Sequence, residues 1–141
     1  MKKNYNLILA GLLLFMSSFI FAQANLNVTF AAQYTYPGHT CANICGYYNP
    51  ANGHEYALVG VSTGMDIVDV TVPTVPVHIV QIPNIDNLWK KIKVYQNFAY
   101  VTTEAGGAGL QIINLNALPA TSAASYSYHN YYGDGAINGQ L

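Results

Sequence analysis

Two stretches of this chain repeat each other, and their spacing changes only where a loop changes length. Glu55-Tyr56-Ala57-Leu58-Val59 corresponds to Asn97-Phe98-Ala99-Tyr100-Val101, 42 residues later. Gly64-Met65-Asp66-Ile67-Val68-Asp69-Val70 corresponds to Gly109-Leu110-Gln111-Ile112-Ile113-Asn114-Leu115, 45 residues later, with the insertion at Gly106-Gly107-Ala108. Upstream, Asn43-Ile44-Cys45-Gly46-Tyr47 corresponds to Lys91-Ile92-Lys93-Val94-Tyr95 at an offset of 48, because the first hairpin loop is six residues longer. A third copy is expected to open at Tyr128-His129-Asn130-Tyr131-Tyr132. Repeats of this kind are single supersecondary units that bury a face only by stacking on a neighbour. A period of 42–48 with four strands per unit is that of a β-propeller blade. The competing architecture is a β-sandwich with accidental similarity between its halves.

The local pattern is all-β. Val28 to Tyr36 is rich in β-branched and aromatic residues and stops at the turn pair Pro37-Gly38. Strands are predicted at Ile44–Tyr48, Glu55–Val61, Met65–Val70 and Val77–Ile82, separated by Asn49-Pro50-Ala51-Asn52-Gly53, by Ser62-Thr63-Gly64, and by Pro73 and Pro76. No stretch has the apolar spacing of an amphipathic helix. The fold class is therefore an all-β partial β-propeller: about two four-stranded antiparallel blades and the start of a third. The expected organisation is a signal peptide over 1–24, an N-terminal strand or linker over 25–39, and blade-like repeats over 40–83 and 84–119. A truncated third repeat over 120–141 completes it, poorly ordered after about Ala120.

The N-terminus reads as an export signal. Lys2 and Lys3 precede an uncharged run from Leu7 to Phe21, and Ala22-Gln23-Ala24 supplies the small residues of a cleavage site. The run is too short to span a bilayer, and no basic segment follows it. The remaining chain holds three lysines, no arginine and six acidic residues, a balance that speaks against nucleic-acid binding. With 52% hydrophobic and 8% charged residues it also lacks the composition of a disordered chain. No membrane span is expected after cleavage.

Met65-Asp66-Ile67-Val68-Asp69-Val70-Thr71-Val72-Pro73-Thr74-Val75-Pro76 resembles the LVIVD repeat, an L-x-I-V-D strand followed by D-V-(S/T)-x-P-x-x-P. Gly46-Tyr47 with Asn49-Pro50 and Gly53, then Glu55 to Gly60, Trp89 with Ile92 to Tyr95, and Thr103-Glu104-Ala105 extend the likeness over residues 30 to 120. The wider run looks like the choice-of-anchor B family of exported bacterial proteins. The resemblance implies a secreted or surface β-propeller, often with a C-terminal anchor, and it implies no catalytic residues. The chain departs from the family in the pair Cys41 and Cys45. It also stops at Leu141, so an N-terminal part of a longer propeller, its missing blades elsewhere, is expected.

Few side chains carry a chemical signal. Cys41 and Cys45, in an exported chain, read as a disulfide, with two free thiols or a metal site shared with His39 and His54 as alternatives. A bridge requires a turn or bulge over Thr40–Ile44, because four extended residues separate the Cα atoms by about 13 Å. Asp66 and Asp69 point to opposite faces of a strand and cannot chelate together. Asp69 is read as a turn cap, which its counterpart Asn114 can imitate. Met65, Asp66, Ile67, Val68 and Asp69, with Leu110, Gln111, Ile112, Ile113 and Asn114, are therefore assigned structural roles in the repeat. His39, His54, His78 and His129 share no ligand spacing, and no cofactor is implied. The recurring aromatics at Tyr47, Tyr95 and Tyr132, and at Tyr56 and Phe98, read as core between units. The pattern points to a non-catalytic surface or secreted module for a protein or carbohydrate ligand. The alternative is an extracellular hydrolase or lyase that uses the propeller as scaffold.

Secretion of this chain is expected to yield a product beginning at Asn25, or at Gln23 if cleavage follows Ala22. Intact-mass analysis distinguishes the two, and a product retaining Met1 would overturn the export reading.

Overall fold

The computed structural model describes residues 28–106 and 109–131. The chain divides into two units, Met1–Phe30 and Ala31–Leu141. Of the first unit only Val28–Phe30 is described, without regular structure, and the expected signal peptide lies outside the described residues. The second unit is all-β, built from two antiparallel four-stranded sheets. The first contains β1 (Cys41–Asn49), β2 (His54–Val61), β3 (Gly64–Asp69) and β4 (Val77–Pro83), paired in chain order. The second contains β5 (Lys90–Tyr95), β6 (Phe98–Thr103), β7 (Leu110–Asn114) and β8 (Tyr128–Tyr131), again in order.

Register is set by turn chemistry and by which face is buried. In the first sheet Tyr47 pairs with Tyr56 and Tyr56 with Asp69; in the second Tyr95 pairs with Phe98 and Phe98 with Asn114. Ala57 faces Val68 as Ala99 faces Ile113, and Val59 faces Asp66 as Val101 faces Gln111. The two sheets thus have one register when read at offsets of 48, 42 and 45. The loop after Asn49 is closed by Gly53 N–H donating to the Asn49 carbonyl at 2.8 Å. The second hairpin turns over Gln96 and Asn97 alone, with Gln96 at φ 51°.

Three expectations are revised. Val28–Tyr36 forms no strand: it lacks a partner strand, and from Ala31 it runs as an extended strap to the turn Tyr36-Pro37-Gly38-His39. Gly38 takes φ 77° there, and His39 N–H donates to the Tyr36 carbonyl at 3.1 Å. Tyr128–Tyr131 does not open a third unit. It pairs with β7, Gln111 opposite Asn130 just as Asp66 is opposite Gln81, and so closes the second sheet. Nor are residues 121–131 structureless, while the rest of the expected tail lies outside the described residues. Short 3-10 turns at Leu115–Ala117 and Ala123–Ser125 carry Leu115, Leu118 and Tyr126 into the core, and the Tyr126 hydroxyl donates to the Ala120 carbonyl at 2.8 Å. Burial pushes that hydroxyl's pKa up to about 12.

The core lies between the sheets. Tyr56, Leu58, Met65, Ile67 and Ile82 from the first meet Ile92, Ala99, Val101 and Ile113 from the second, all at most 2% exposed. Gly60 sits at the closest approach, where an added Cβ would come within 2.8 Å of Lys90 Cβ. Polar groups lock the seam at its edges. The Asn43 side chain accepts from Ile92 N–H at 2.9 Å. Buried Gln111 accepts from Asn84 Nδ2 at 3.0 Å and donates to the Pro83 carbonyl at 2.9 Å. The Lys90 ammonium, also buried, donates to the carbonyls of Ile85, Asn87 and Ser62 at 2.7, 3.0 and 3.1 Å. Among the described residues no helix is long and apolar enough to cross a membrane.

Gln111→Ala removes the buried side chain that pairs with the Asn84 amide and the Pro83 carbonyl. It is expected to lower unfolding free energy by about 2 kcal/mol, measured by urea denaturation. An unchanged midpoint would show that the Gln111 amide contributes nothing to joining the two sheets.

Candidate functional site

The seam leaves two concave surfaces, and each is built from residues whose orientation follows from strand alternation. The first covers the face of the first sheet that points away from the second. Its floor is Ala57, Val59 and Val68, its wall is Tyr34 and Tyr36 from the strap, and Cys41 lies at its end. The groove has a volume of about 570 Å³. Beside it is a polar cluster. Asp66 is 5% exposed, and its Oδ1 has no hydrogen-bond partner. Its Oδ2 is 3.6 Å from His78 Nε2. Gln81, directly opposite Asp66 in the ladder, donates to Thr63 Oγ1 at 2.8 Å, and Thr63 Oγ1 lies 3.1 Å from His39 Nδ1. Tyr34 stacks on the His78 ring with centroids 6.1 Å apart.

Electrostatics follow from that burial. Desolvation raises the Asp66 carboxyl pKa, and His78, His39 and polar contact with Gln81 pull it back only in part. Burial and then the Asp66 charge hold the Tyr36 hydroxyl far above its ordinary range. The same two causes push the Cys41 thiol up, the reverse of the shift that activates a nucleophilic cysteine.

The second surface opens where β1 meets β5 and β6. Trp89, 56% exposed, stands at its mouth, with Asn43, Lys91, Thr102, Thr103 and Glu104 around a hollow of about 350 Å³. The Trp89 backbone is held by its N–H donating to Asn87 Oδ1 at 2.9 Å. The neighbouring Lys90 clamp fixes the same loop. An indole beside two lysines, one carboxylate and two hydroxyls offers both stacking and hydrogen-bonding groups.

The remaining sequence-predicted residues are dispersed. Cys41 and Cys45 are both free thiols. The bulge between Cys41 and Asn43 that a bridge required is present, but it lies within a continuous strand that keeps the two Cα atoms apart. Cys45 packs toward the core, whereas Cys41 lines the outer groove. His39 also lies by that groove, while His54 sits at the far end of β2, Nδ1 2.6 Å from Asp69 Oδ2. Those four residues do not converge, and among the described residues no cluster of histidine, cysteine and carboxylate suits a metal ion. Asp69 accepts from Thr71 N–H at 2.9 Å, and Asn114 accepts from Asn116 N–H at the same distance, so both cap the turn after their strand. Partial burial opposes ionisation of Asp69, but hydrogen bonds from Thr71 and His54 outweigh it and lower its pKa. Met65 and Ile67 belong to the core, as does Ile113, and Val68 is buried on the opposite face of β3. Leu110 and Ile112 are half-buried on the outer face of the second sheet.

Sequence reasoning missed two groupings. The approach of His78 to Asp66 depends on a register shift in β4, between the pairs of Ile67 and Val68, which no residue type announces. Trp89 carried a weak signal: a lone tryptophan just before a strand and after a polar loop. Compared with known protein families, characterised proteins and solved structures, the chain matches none.

A carboxyl whose pKa is raised on folding holds its proton more tightly in the native chain. Its charge therefore costs stability above the native pKa, and that cost fades as pH falls toward the ordinary carboxylate range. Asp66→Asn is expected to add about 1 kcal/mol at pH 7 and nothing once pH is below about 4, by urea unfolding at both values. A loss of stability at pH 7 would mean that the histidines hold the carboxylate more strongly than burial opposes it.

Proposed function

We propose that this is an exported β-propeller repeat protein of the LVIVD, choice-of-anchor B type, acting as a non-catalytic binding or scaffold module at the cell surface or after secretion. Two antiparallel four-stranded sheets with one common register, packed face to face, support the blade reading. The export signal and the ordered run of motifs from Gly46 to Ile112 support the family and the compartment.

The observation that carries the binding role is the Trp89 hollow. Its indole is more than half exposed and offers a flat apolar face beside a hollow in which a ligand can stack. The Trp89 backbone N–H is held by Asn87, and Lys91, Thr103 and Glu104 border the hollow. Aromatic stacking with a polar rim suits a sugar ring or a polar peptide side chain, so the ligand is a carbohydrate or an extended protein segment.

Trp89 is the single tryptophan of the chain, so its emission reports on the site directly. Oligosaccharide and peptide libraries are screened on the purified protein, and hits are titrated by fluorescence. A hit is expected to shift or quench Trp89 emission. Trp89→Ala is expected to abolish binding with little change in thermal unfolding, since the ring contributes no core contact. Ligands that bind Trp89→Ala unchanged would place recognition elsewhere.

A further inference from the structure

The loop between β1 and β2 holds a reactive pair of residues under constraint. Among the described residues Asn52 is the one asparagine followed by glycine. Such a pair is prone to deamidation, because glycine has no side chain to shield its own nitrogen. The Gly53 nitrogen loses its hydrogen and attacks Asn52 Cγ, a cyclic imide forms, and the Cγ–Nδ2 bond breaks to release ammonia. Water then opens the imide at either carbonyl. The product is aspartate, or isoaspartate with the main chain rerouted through the side chain. Water is the one co-reactant, and nothing is oxidised or reduced.

The turn depends on both residues. Gly53 has φ 75°, a left-handed conformation in which a side chain is strained. Asn52 supplies two bonds: its Oδ1 accepts from His54 N–H at 3.0 Å, and its Nδ2 donates to the Tyr56 hydroxyl at 3.0 Å. The same contacts oppose the reaction. Both ends of the Asn52 amide are held, and Tyr56 is buried in the core, so its hydroxyl does not travel with the loop. The hydrogen that the attacking nitrogen must lose is bonded to the Asn49 carbonyl at 2.8 Å. We propose that Asn52 is a latent modification site, protected while this turn is closed and deamidated when the β1–β2 end opens. Isoaspartate adds a methylene to the main chain within the turn that sets Asn49 opposite His54, so a chain modified in that way does not close as before. The proposal does not depend on what the Trp89 hollow binds.

The test incubates the purified chain at neutral pH, folded and in urea, and follows deamidation at Asn52 by peptide mapping and mass spectrometry. The folded chain is expected to react at least about tenfold more slowly than the chain in urea, since more than one hydrogen bond must open first. Tyr56→Phe keeps the ring in the core and removes only the acceptor of the Asn52 amide. It is expected to speed the reaction of the folded chain about fivefold, the loss of one such bond. Gln111→Ala weakens the seam but touches nothing in the turn, so it is expected to leave the Asn52 rate unchanged. Equal rates folded and in urea overturn the proposal, as does an Asn52 that stays intact in urea, and both comparisons stand whether or not Tyr56→Phe folds. A folded Tyr56→Phe that reacts no faster than wild type overturns the part assigned to the hydroxyl. Gln111→Ala reacting as fast as Tyr56→Phe overturns the proposal by assigning protection to global stability rather than to the turn.

Discussion

A four-stranded antiparallel sheet presents two faces and can bury neither by itself, so each sheet here depends on what lies against it. The seam between them supplies that cover. Tyr56, Leu58, Met65 and Ile67 project from alternate positions of β2 and β3, and Ile92, Ala99, Val101 and Ile113 answer from β5 to β7. Alternation along the strands then fixes much of the rest. Once Leu58 and Ile67 face inward, Val59 and Asp66 face outward, while the register shift in β4 is what brings His78 to Asp66. A one-residue slip in either ladder would exchange the faces and expose the whole core, which is why two sequences with little identity beyond their pattern keep one register.

An apolar seam alone would tolerate sliding, and the polar groups at its border prevent it. Gln111 and Asn84, Asn43 and the Ile92 amide, and Lys90 with its three carbonyls each tie a point on one sheet, or on the connection between the sheets, to one place. Lys90 shows how this works energetically. Burial lowers its ammonium pKa, with Asp86 opposing, yet hydrogen bonds to the carbonyls of Ile85, Asn87 and Ser62 make the buried cation tolerable. These bonds also immobilise the loop that presents Trp89, so the element that joins the sheets is also the one that shapes the hollow.

The sequence was legible where structure depends on neighbours in the chain and opaque where it depends on packing. Offsets of 48, 42 and 45 placed Tyr47 with Tyr95 and Tyr56 with Phe98 at corresponding positions, and the ladders pair Tyr47 with Tyr56 as they pair Tyr95 with Phe98. The cap by Asp69 was readable because Asn114 makes the same bond at the same place. The fate of Tyr128–Tyr131 was not. In the first sheet β3 and β4 are joined across Pro73 and Pro76, whereas β7 and β8 are separated by two 3-10 turns that only the core contacts of Leu118 and Tyr126 hold in place. The strap was misread as a strand because Val28–Tyr36 has strand composition. What decides its state is that it pairs with no strand edge, for which composition carries no signal. The cysteines show the limit from the other side. The bulge was anticipated correctly, and yet strand continuity keeps the thiols apart.

Asp66 and Gln111 occupy one position in the two units and show what a repeat conserves and what it releases. Both are buried on the same face of the third strand, opposite Gln81 and Asn130. Where a neighbouring sheet supplies a donor and an acceptor at fixed places, an amide satisfies both, and Gln111 does so with Asn84 and Pro83. Where the neighbour is a strap carrying Tyr36 and His39, a carboxylate is tolerated because histidines on the strap and on β4 offset part of its burial. The amide is specific to one partner geometry, whereas the carboxylate leaves an oxygen unspent. The register therefore dictates that a polar group must be buried at this position, while the surface that covers the sheet dictates its charge, so Asp66 marks the end of the chain where the covering surface is of a different kind.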